Sequence, residues 1–212
     1  MLRESELGRR YLRWVESVPV PFCQRLALSP NHLTLMALCC SLLVPPAYLH
    51  SLGMGGLAVL VAGVLDTLDG ALARRTGRQS KSGAFLDSVS DRYGDFLVHL
   101  GLGLYFWVHH PDLLALATLI LSLLLLGSFM VSYARARGEG LGLSTSVGFF
   151  GRGERILTLG LGSILIDCLS RVQPDVRYFP WPYLFIGLLT LLALGVHVSA
   201  LQRIVYLSRH LR

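Results

Sequence analysis

The feature that most limits what this chain can become is where its charges are missing. Residues 26–65, 113–134 and 178–202 contain no Asp, Glu, Lys or Arg. A helix needs about 20 predominantly apolar residues to cross the hydrocarbon layer of a bilayer, so each stretch is long enough to do so. The first stretch holds two such segments, divided by Ser51, Gly53, Gly55 and Gly56, a turn-forming cluster. Only 15% of the 212 residues are charged, against roughly 25% in soluble domains. Too little polar material is left for a soluble fold, and the pattern reads as an all-α polytopic membrane protein.

Six transmembrane helices are expected, near residues 32–50, 54–75, 84–108, 112–137, 150–170 and 180–205. Pro45 and Pro46 should kink or shorten the first. His109, His110, Pro111 and Asp112 separate the third from the fourth, and Pro174, Pro180 and Pro182 mark the last connection. The fifth has the most confined apolar stretch, because Arg152, Glu154, Arg155 and Asp167 bound it. Ahead of these segments, Leu2, Leu7, Tyr11, Trp14, Val15 and Val18 recur at helical spacing among Arg3, Glu4, Glu6, Arg9, Arg10, Arg13 and Glu16. That suits an N-terminal amphipathic helix on the membrane surface, or equally a helix packed on the protein itself. No short apolar core is followed there by a cleavage site, so the segment does not read as a signal peptide. The expected organisation is one membrane-embedded domain over residues 1–212, with 1–28 the amphipathic segment and 29–212 the six-helix bundle.

The connections alternate in charge. Arg74, Arg75, Arg78 and Lys81, then Arg135, Arg137, Arg152 and Arg155, then Arg203, Arg209 and Arg212 fall on the side of the N-terminal arginines. The other side has the uncharged turn at residues 50–56, the turn at 109–112 and a loop holding Arg171 and Arg177. Short basic loops stay in the cytoplasm, which puts both termini there in a cell-membrane protein. The net charge of +6 therefore reports topology, and no nucleic-acid partner is expected. Cys23, Cys39, Cys40 and Cys168 lack metal-site or disulfide spacing and read as small hydrophobes.

Against this apolar background stand four carboxylates within 26 residues: Asp66, Asp69, Asp87 and Asp91. Spacings of three and four put each pair on one helix face. Residues 75–82 reverse the chain, so the two acid-bearing faces can meet near the cytoplasmic boundary. Four ionised carboxylates cannot share such a place without counter-charge. Oxygen ligands of this kind suit Mg²⁺ or Mn²⁺, which complete their shells with phosphate oxygens. Small side chains at Gly70 and Ala73 would let a base or sugar approach the helix, and Arg74 can hold phosphate. A proton relay or a cation pathway would also use intramembrane acids. However, residues 113–126 offer only Thr118 and Ser122 to continue such a path.

The full pattern is Asp66-x-x-Asp69-Gly70-x-x-Ala73-Arg74, eight residues, then Gly83-x-x-x-Asp87-x-x-x-Asp91. It resembles the signature of the CDP-alcohol phosphotransferases at every fixed position, and the six-helix layout with a surface helix is similar too. The resemblance implies a transferase that moves a phosphatidyl-type group from a CDP-linked lipid to an alcohol, releasing CMP. The donor would be CDP-diacylglycerol or CDP-archaeol. Two metal ions would be held by Asp66, Asp69 and Asp87 with Asp91, and Asp91 would also be the general base. Gly70, Ala73 and Gly83 would shape the cytidine pocket, and Arg74 would touch the donor phosphates. Asn31 and Thr34, in a second family element at Pro30–Thr34, would border the nucleotide. A homodimer is implied in the same way. An inactive scaffold with this fold is disfavoured by the complete set of acids.

A further stretch bears on the acceptor. Ser132-Tyr133-Ala-Arg135-Ala-Arg137-Gly-Glu139 and Gly151-Arg152-Gly-Glu154-Arg155 put four arginines on the side of the acids. Arg135, Arg137, Arg152 and Arg155 can be positive-inside residues or a pocket for a phosphorylated acceptor. The stretch, like Asp87-Ser-Val-Ser-Asp91-Arg92, resembles the branch that uses inositol phosphate, with Arg135 where lysine is common and Gly151-Arg152-Gly153 as a second departure. Glycerol 3-phosphate is the alternative acceptor.

Overall fold

The computed structural model describes residues 6–145, 147–172 and 181–211. Leu2, Arg3, Glu4, Pro174, Arg177, Pro180 and Arg212, together with the side chain of Leu7, lie outside what is described. Within these limits the chain is all-helical, with no strand among the described residues. Two short helices open it, α1 (Glu6–Ser17) and α2 (Pro19–Arg25). Then come α3 (Pro30–Ser41), α4 (Val44–His50), α5 (Leu52–Thr76), α6 (Lys81–His109), α7 (Leu114–Gly140), α8 (Arg152–Val172) and α9 (Trp181–His210).

The boundaries follow local chemistry. Ser29 caps α3 by accepting from the His32 amide at 3.2 Å, and Pro30 takes the first turn, where its missing N–H costs nothing. The first apolar segment is broken at Leu42 and Leu43. Pro45 and Pro46 cannot extend α3, so α4 restarts with prolines in its own first turn. Ser51 caps α5 through the Met54 amide at 3.2 Å.

Among the described residues, four segments are long and apolar enough to cross a membrane: Pro30–His50, Leu52–Thr76, Pro111–Gly140 and Trp181–His210. Helices α6 and α8, of 29 and 21 residues, pack among them but carry the charged residues the bundle encloses. Helix α7 lies along α9, α8 along α5, and α3 and α4 against both α5 and α6. The main core joins Tyr48, Leu102, Phe106, Leu124, Phe185 and Leu189. Outward, Leu119, Leu126, Leu191, Leu194 and Leu201 are each more than half exposed, a surface that suits lipid and not water.

The N-terminal helix packs on the protein, one of the two sequence expectations. Val15 is fully buried with Val20, Cys23, Leu33, Leu68 and Leu72 in a second cluster, so α1 packs on the protein. Tyr11 and Trp14 stay exposed, their rings stacked at 6.2 Å. Arg75 donates to the Glu16 carbonyl and ties α1 to the end of α5.

Tyr48 shows how closely the helices approach. Its hydroxyl meets Ser163 Oγ at 3.1 Å, and its ring is flanked by Gly55 and Gly101, where any Cβ would collide with it. Overpacking of this kind costs about 1–3 kcal/mol. Gly55→Val should therefore lower the apparent melting temperature of the detergent-solubilised protein by several degrees. Gly103→Ala, where an added Cβ has nothing within 4 Å, should leave it unchanged.

Candidate active site

A tight reversal brings the acids together. Helix α5 ends at Gly77, which takes φ 65°, a left-handed conformation that glycine adopts without strain. The Arg78 amide then returns to the Ala73 carbonyl at 3.1 Å. Ser80 starts α6 by accepting from the Gly83 amide at 3.0 Å. This turn sets Asp66 of α5 opposite Asp87 and Asp91 of α6. One carboxylate oxygen from each lies within 4.8 Å of the others.

Asp69 stands beside that trio and is the most enclosed of the four, at 5% exposure. Thr34 Oγ1 donates to its Oδ2 at 2.5 Å, so α3 supplies its polar support. The other residues expected on the nucleotide side gather at the same rim. Asn31 Oδ1 is 3.3 Å from where a Gly83 Cβ would stand, and an Arg74 guanidinium nitrogen is as far from a Gly70 Cβ. Ala73 is half-buried and Arg74 exposed.

The arginines divide. Arg152 pairs with Asp66 and Asp91, and its Nε lies 3.7 Å from Asp95 Oδ1. Arg155, only 4% exposed, donates to Asp95 Oδ2 at 3.1 Å. Arg135 is exposed and pairs with Glu139 of its own helix at 2.8 Å, and Arg137 is exposed. The Val131 carbonyl, one turn of α7 before Arg135, is held by Arg203 of α9. Arg203 is buried and held by the carbonyls of Val147 at 2.7 Å and Val131 at 2.8 Å. The loop carrying Val147 is pinned to α9 a second time, because the amides of Phe149 and Phe150 both donate to Ser199 Oγ.

Several of these groups were not singled out from sequence. Asp95 is buried and continues the Asp87–Asp91 stripe by one more turn of α6, a spacing visible in the sequence. Arg203 closes an otherwise uncharged run, the intramembrane-charge signal. Arg92, which pairs with Asp91 at 3.2 Å, directly follows it in the chain. A small cavity of about 30 Å³ lies inside the acids, lined by Thr34, Ser41, Asp66, Ser90, Asp95 and Arg152 among others.

The donor set fits a divalent cation. Three carboxylates converge, and the ligand type is the one hard cations take. The profile of the CDP-alcohol phosphatidyltransferase family matches residues 27–169. The chain belongs to this family.

Its relatives narrow the comparison. Archaetidylinositol phosphate synthase of Pyrococcus horikoshii is 39% identical over 141 residues, 66% of this chain and 71% of the relative. The protein of the same name from Methanothermobacter thermautotrophicus is 32% identical over 194 residues, 91% of this chain and 89% of that one. Crystal structures of Mycobacterium tuberculosis phosphatidylinositol phosphate synthase are similar in fold at 27% identity. The form with CDP-DAG bound gives a TM-score of 0.74 over 92% of this chain and 94% of that one. The form in complex with manganese and citrate gives 0.75 over 91% and 88%. Membership makes the chain a phosphotransferase of phospholipid biosynthesis and sets aside the transporter reading of the acids. Together with the four apolar segments it marks an integral membrane protein.

The Thr34–Asp69 contact generates a test. Leaving a buried acceptor without its donor costs about 1–3 kcal/mol. Thr34→Val should lower thermal stability by that order, and Thr34→Ser, which keeps the hydroxyl, should recover most of it.

Proposed function

We propose that this enzyme transfers a phosphatidyl-type group from a CDP-linked lipid to inositol phosphate at the cytoplasmic end of a six-span bundle. The observation that carries the reading is the meeting of two charged groups at one end. The acids of α5 and α6 lie there, Arg155 of α8 pairs with Asp95 beside them, and Arg203 of α9 holds the Val131 carbonyl one turn before Arg135 on α7. Supporting the acceptor are the names of the relatives, synthases of archaetidylinositol phosphate and phosphatidylinositol phosphate. Both names end in a phosphorylated inositol lipid, which requires either a phosphorylated acceptor or a second enzyme.

The roles follow from position. Asp66, Asp69, Asp87 and Asp91 would hold two divalent ions, Mg²⁺ or Mn²⁺, which when bound neutralise the donor diphosphate and the departing CMP. Asn31, Thr34, Gly70, Ala73 and Gly83 would border the cytidine, with Arg74 on the donor phosphates. Asp91 would accept the proton of the incoming hydroxyl as its oxygen bonds to the lipid-bearing phosphorus and the bond to CMP breaks. Arg135, Arg155 and Arg203 would orient the acceptor through its phosphate, since arginine meets phosphate oxygens with directed hydrogen bonds. Arg137 would add charge at the rim.

The six-span topology accounts for α6 and α8. The charged residues of α6 lie toward the end shared with the basic connections, and between Arg155 and Asp167 α8 is uncharged. With α1 exposing Tyr11 and Trp14, an aromatic pair suited to a headgroup layer, both termini fall on the basic, cytoplasmic side.

Two measurements test the chemistry. Asp91→Asn should slow CMP release by at least about 100-fold while CDP-lipid binding stays near wild type; a near wild-type rate would remove Asp91 as base. Inositol phosphate should support CMP release and free inositol should not. Losing one charge-assisted hydrogen bond to phosphate costs about 1.5–3 kcal/mol, roughly 10- to 150-fold in binding. Arg135→Ala should therefore raise the acceptor KM by that order with little change in the KM for the CDP-lipid. Turnover with free inositol that is insensitive to Arg135→Ala would reject the phosphate pocket, and preference for glycerol 3-phosphate would reassign the acceptor.

A further inference from the structure

Arg152 occupies the place where divalent ions are expected. One guanidinium nitrogen pairs with both Asp66 and Asp91, two of the three clustered acids. On its other flank, Nε is 3.7 Å from Asp95 Oδ1, beyond hydrogen-bond reach. That Nε is buried and has no hydrogen-bond partner. The arginine thus has a second carboxylate beside it that it does not fully use. Between Asp91 and Asp95 on α6 lies Gly94, and the second terminal nitrogen of Arg152 is 3.5 Å from where a Gly94 Cβ would stand. The face of α6 along which the guanidinium would shift toward Asp95 carries no side chain at that residue.

We infer that Arg152 is an internal competitor for the divalent ions, neutralising Asp66 and Asp91 until metal arrives and then turning to Asp95. This rests on the reading of the acids as metal ligands. Without a cation, three carboxylates within 4.8 Å in apolar surroundings repel one another strongly. With the arginine and divalent ions both on the same oxygens, the repulsion has the opposite sign. A lysine could relieve it by losing a proton, but an arginine stays charged and has to move. Asp95 makes that movement tolerable, because a displaced guanidinium with no carboxylate would be an unpaired buried charge. The same movement frees Asp91 Oδ1, which Arg152 otherwise engages, for the acceptor hydroxyl.

The experiment is a Mn²⁺ titration of the detergent-solubilised protein, with no donor or acceptor present, following free ion by electron paramagnetic resonance. Arg152→Gln should bind Mn²⁺ about tenfold or more tightly than wild type, since the ion no longer displaces charge-assisted hydrogen bonds. Asp95→Asn should bind it several-fold more weakly, and this loss should vanish in the double variant, where there is no arginine to rehouse. Equal or weaker binding by Arg152→Gln overturns the inference. So does a loss from Asp95→Asn of the same size in both backgrounds, which is what an unspecific field effect gives. If Asp95→Asn does not fold, judged by thermal melting, the comparison of Arg152→Gln with wild type decides alone. Asp66→Asn separates the two levels: Mn²⁺ affinity equal to wild type in that variant would sink the metal-ligand reading itself, whatever Arg152 does.

Discussion

Carboxylates at the end of an apolar helix bundle repel one another and resist leaving water, and the rest of this structure is organised around meeting those two costs. Burial and like charge both favour the protonated acid. Four of the acids here have a partner that favours the ionised form. Asp66 and Asp91 have Arg152, Asp91 also has Arg92, Asp95 has Arg155, and Asp69 has the Thr34 hydroxyl. These partners come from α3, α6 and α8. A long side chain cannot hold such geometry from a mobile loop, so the supporting helices must be fixed. The apolar core farther along the bundle fixes two of them, through Leu102 and Phe106 of α6 and Leu159 and Ile166 of α8.

Several of the chain's turns and caps are gathered at one end. The left-handed Gly77, the Ser80 cap, the Ser29–Pro30 start of α3 and the loop held by Ser199 and Arg203 all lie where the charged residues are. The other end is closed by neutral contacts, such as His109 to the Leu49 carbonyl at 3.0 Å, and by the Asp167–Arg171 pair within α8. Polar backbone and side-chain groups are thus concentrated where phosphate-bearing substrates and water can reach them. An interior facing lipid tolerates few unsatisfied groups of this kind.

How much of this could be read from the sequence depended on distance along the chain. The acid signature was legible because its members fall on two adjacent helices, where spacings of three and four translate directly into a shared face. The helical segments were legible from their apolar length, and the Pro45–Pro46 break from the missing amides. The pairing of Arg152 with Asp66 was not, because it links residues 86 positions apart through the packing of α8 on α5. Sequence placed Arg152 with Arg135 as one cationic group, whereas their contacts divide them. Arg203 looked like an ordinary positive-inside residue until its two carbonyl contacts were seen. For α1 the amphipathic pattern held two outcomes, and the buried Val15 shows the packing on the protein.

That division of the arginines carries the functional argument one step further. Arg152, Arg155 and Arg203 are all enclosed, yet they are satisfied in different ways. Arg152 is bound to carboxylates that a metal would claim, and Arg155 shares Asp95 with it. Arg203 has only neutral carbonyls as partners and still carries its full charge. Carbonyl dipoles orient a guanidinium but do not neutralise it, and Arg135 lies one turn of α7 beyond the Val131 carbonyl that Arg203 holds. A buried guanidinium in that condition is stabilised by an anion that enters beside it, whereas a neutral polyol supplies no counter-charge. The acids therefore call for metal, the arginines beyond them call for phosphate, and Asp95, touching both Arg152 and Arg155, lies where the two demands meet.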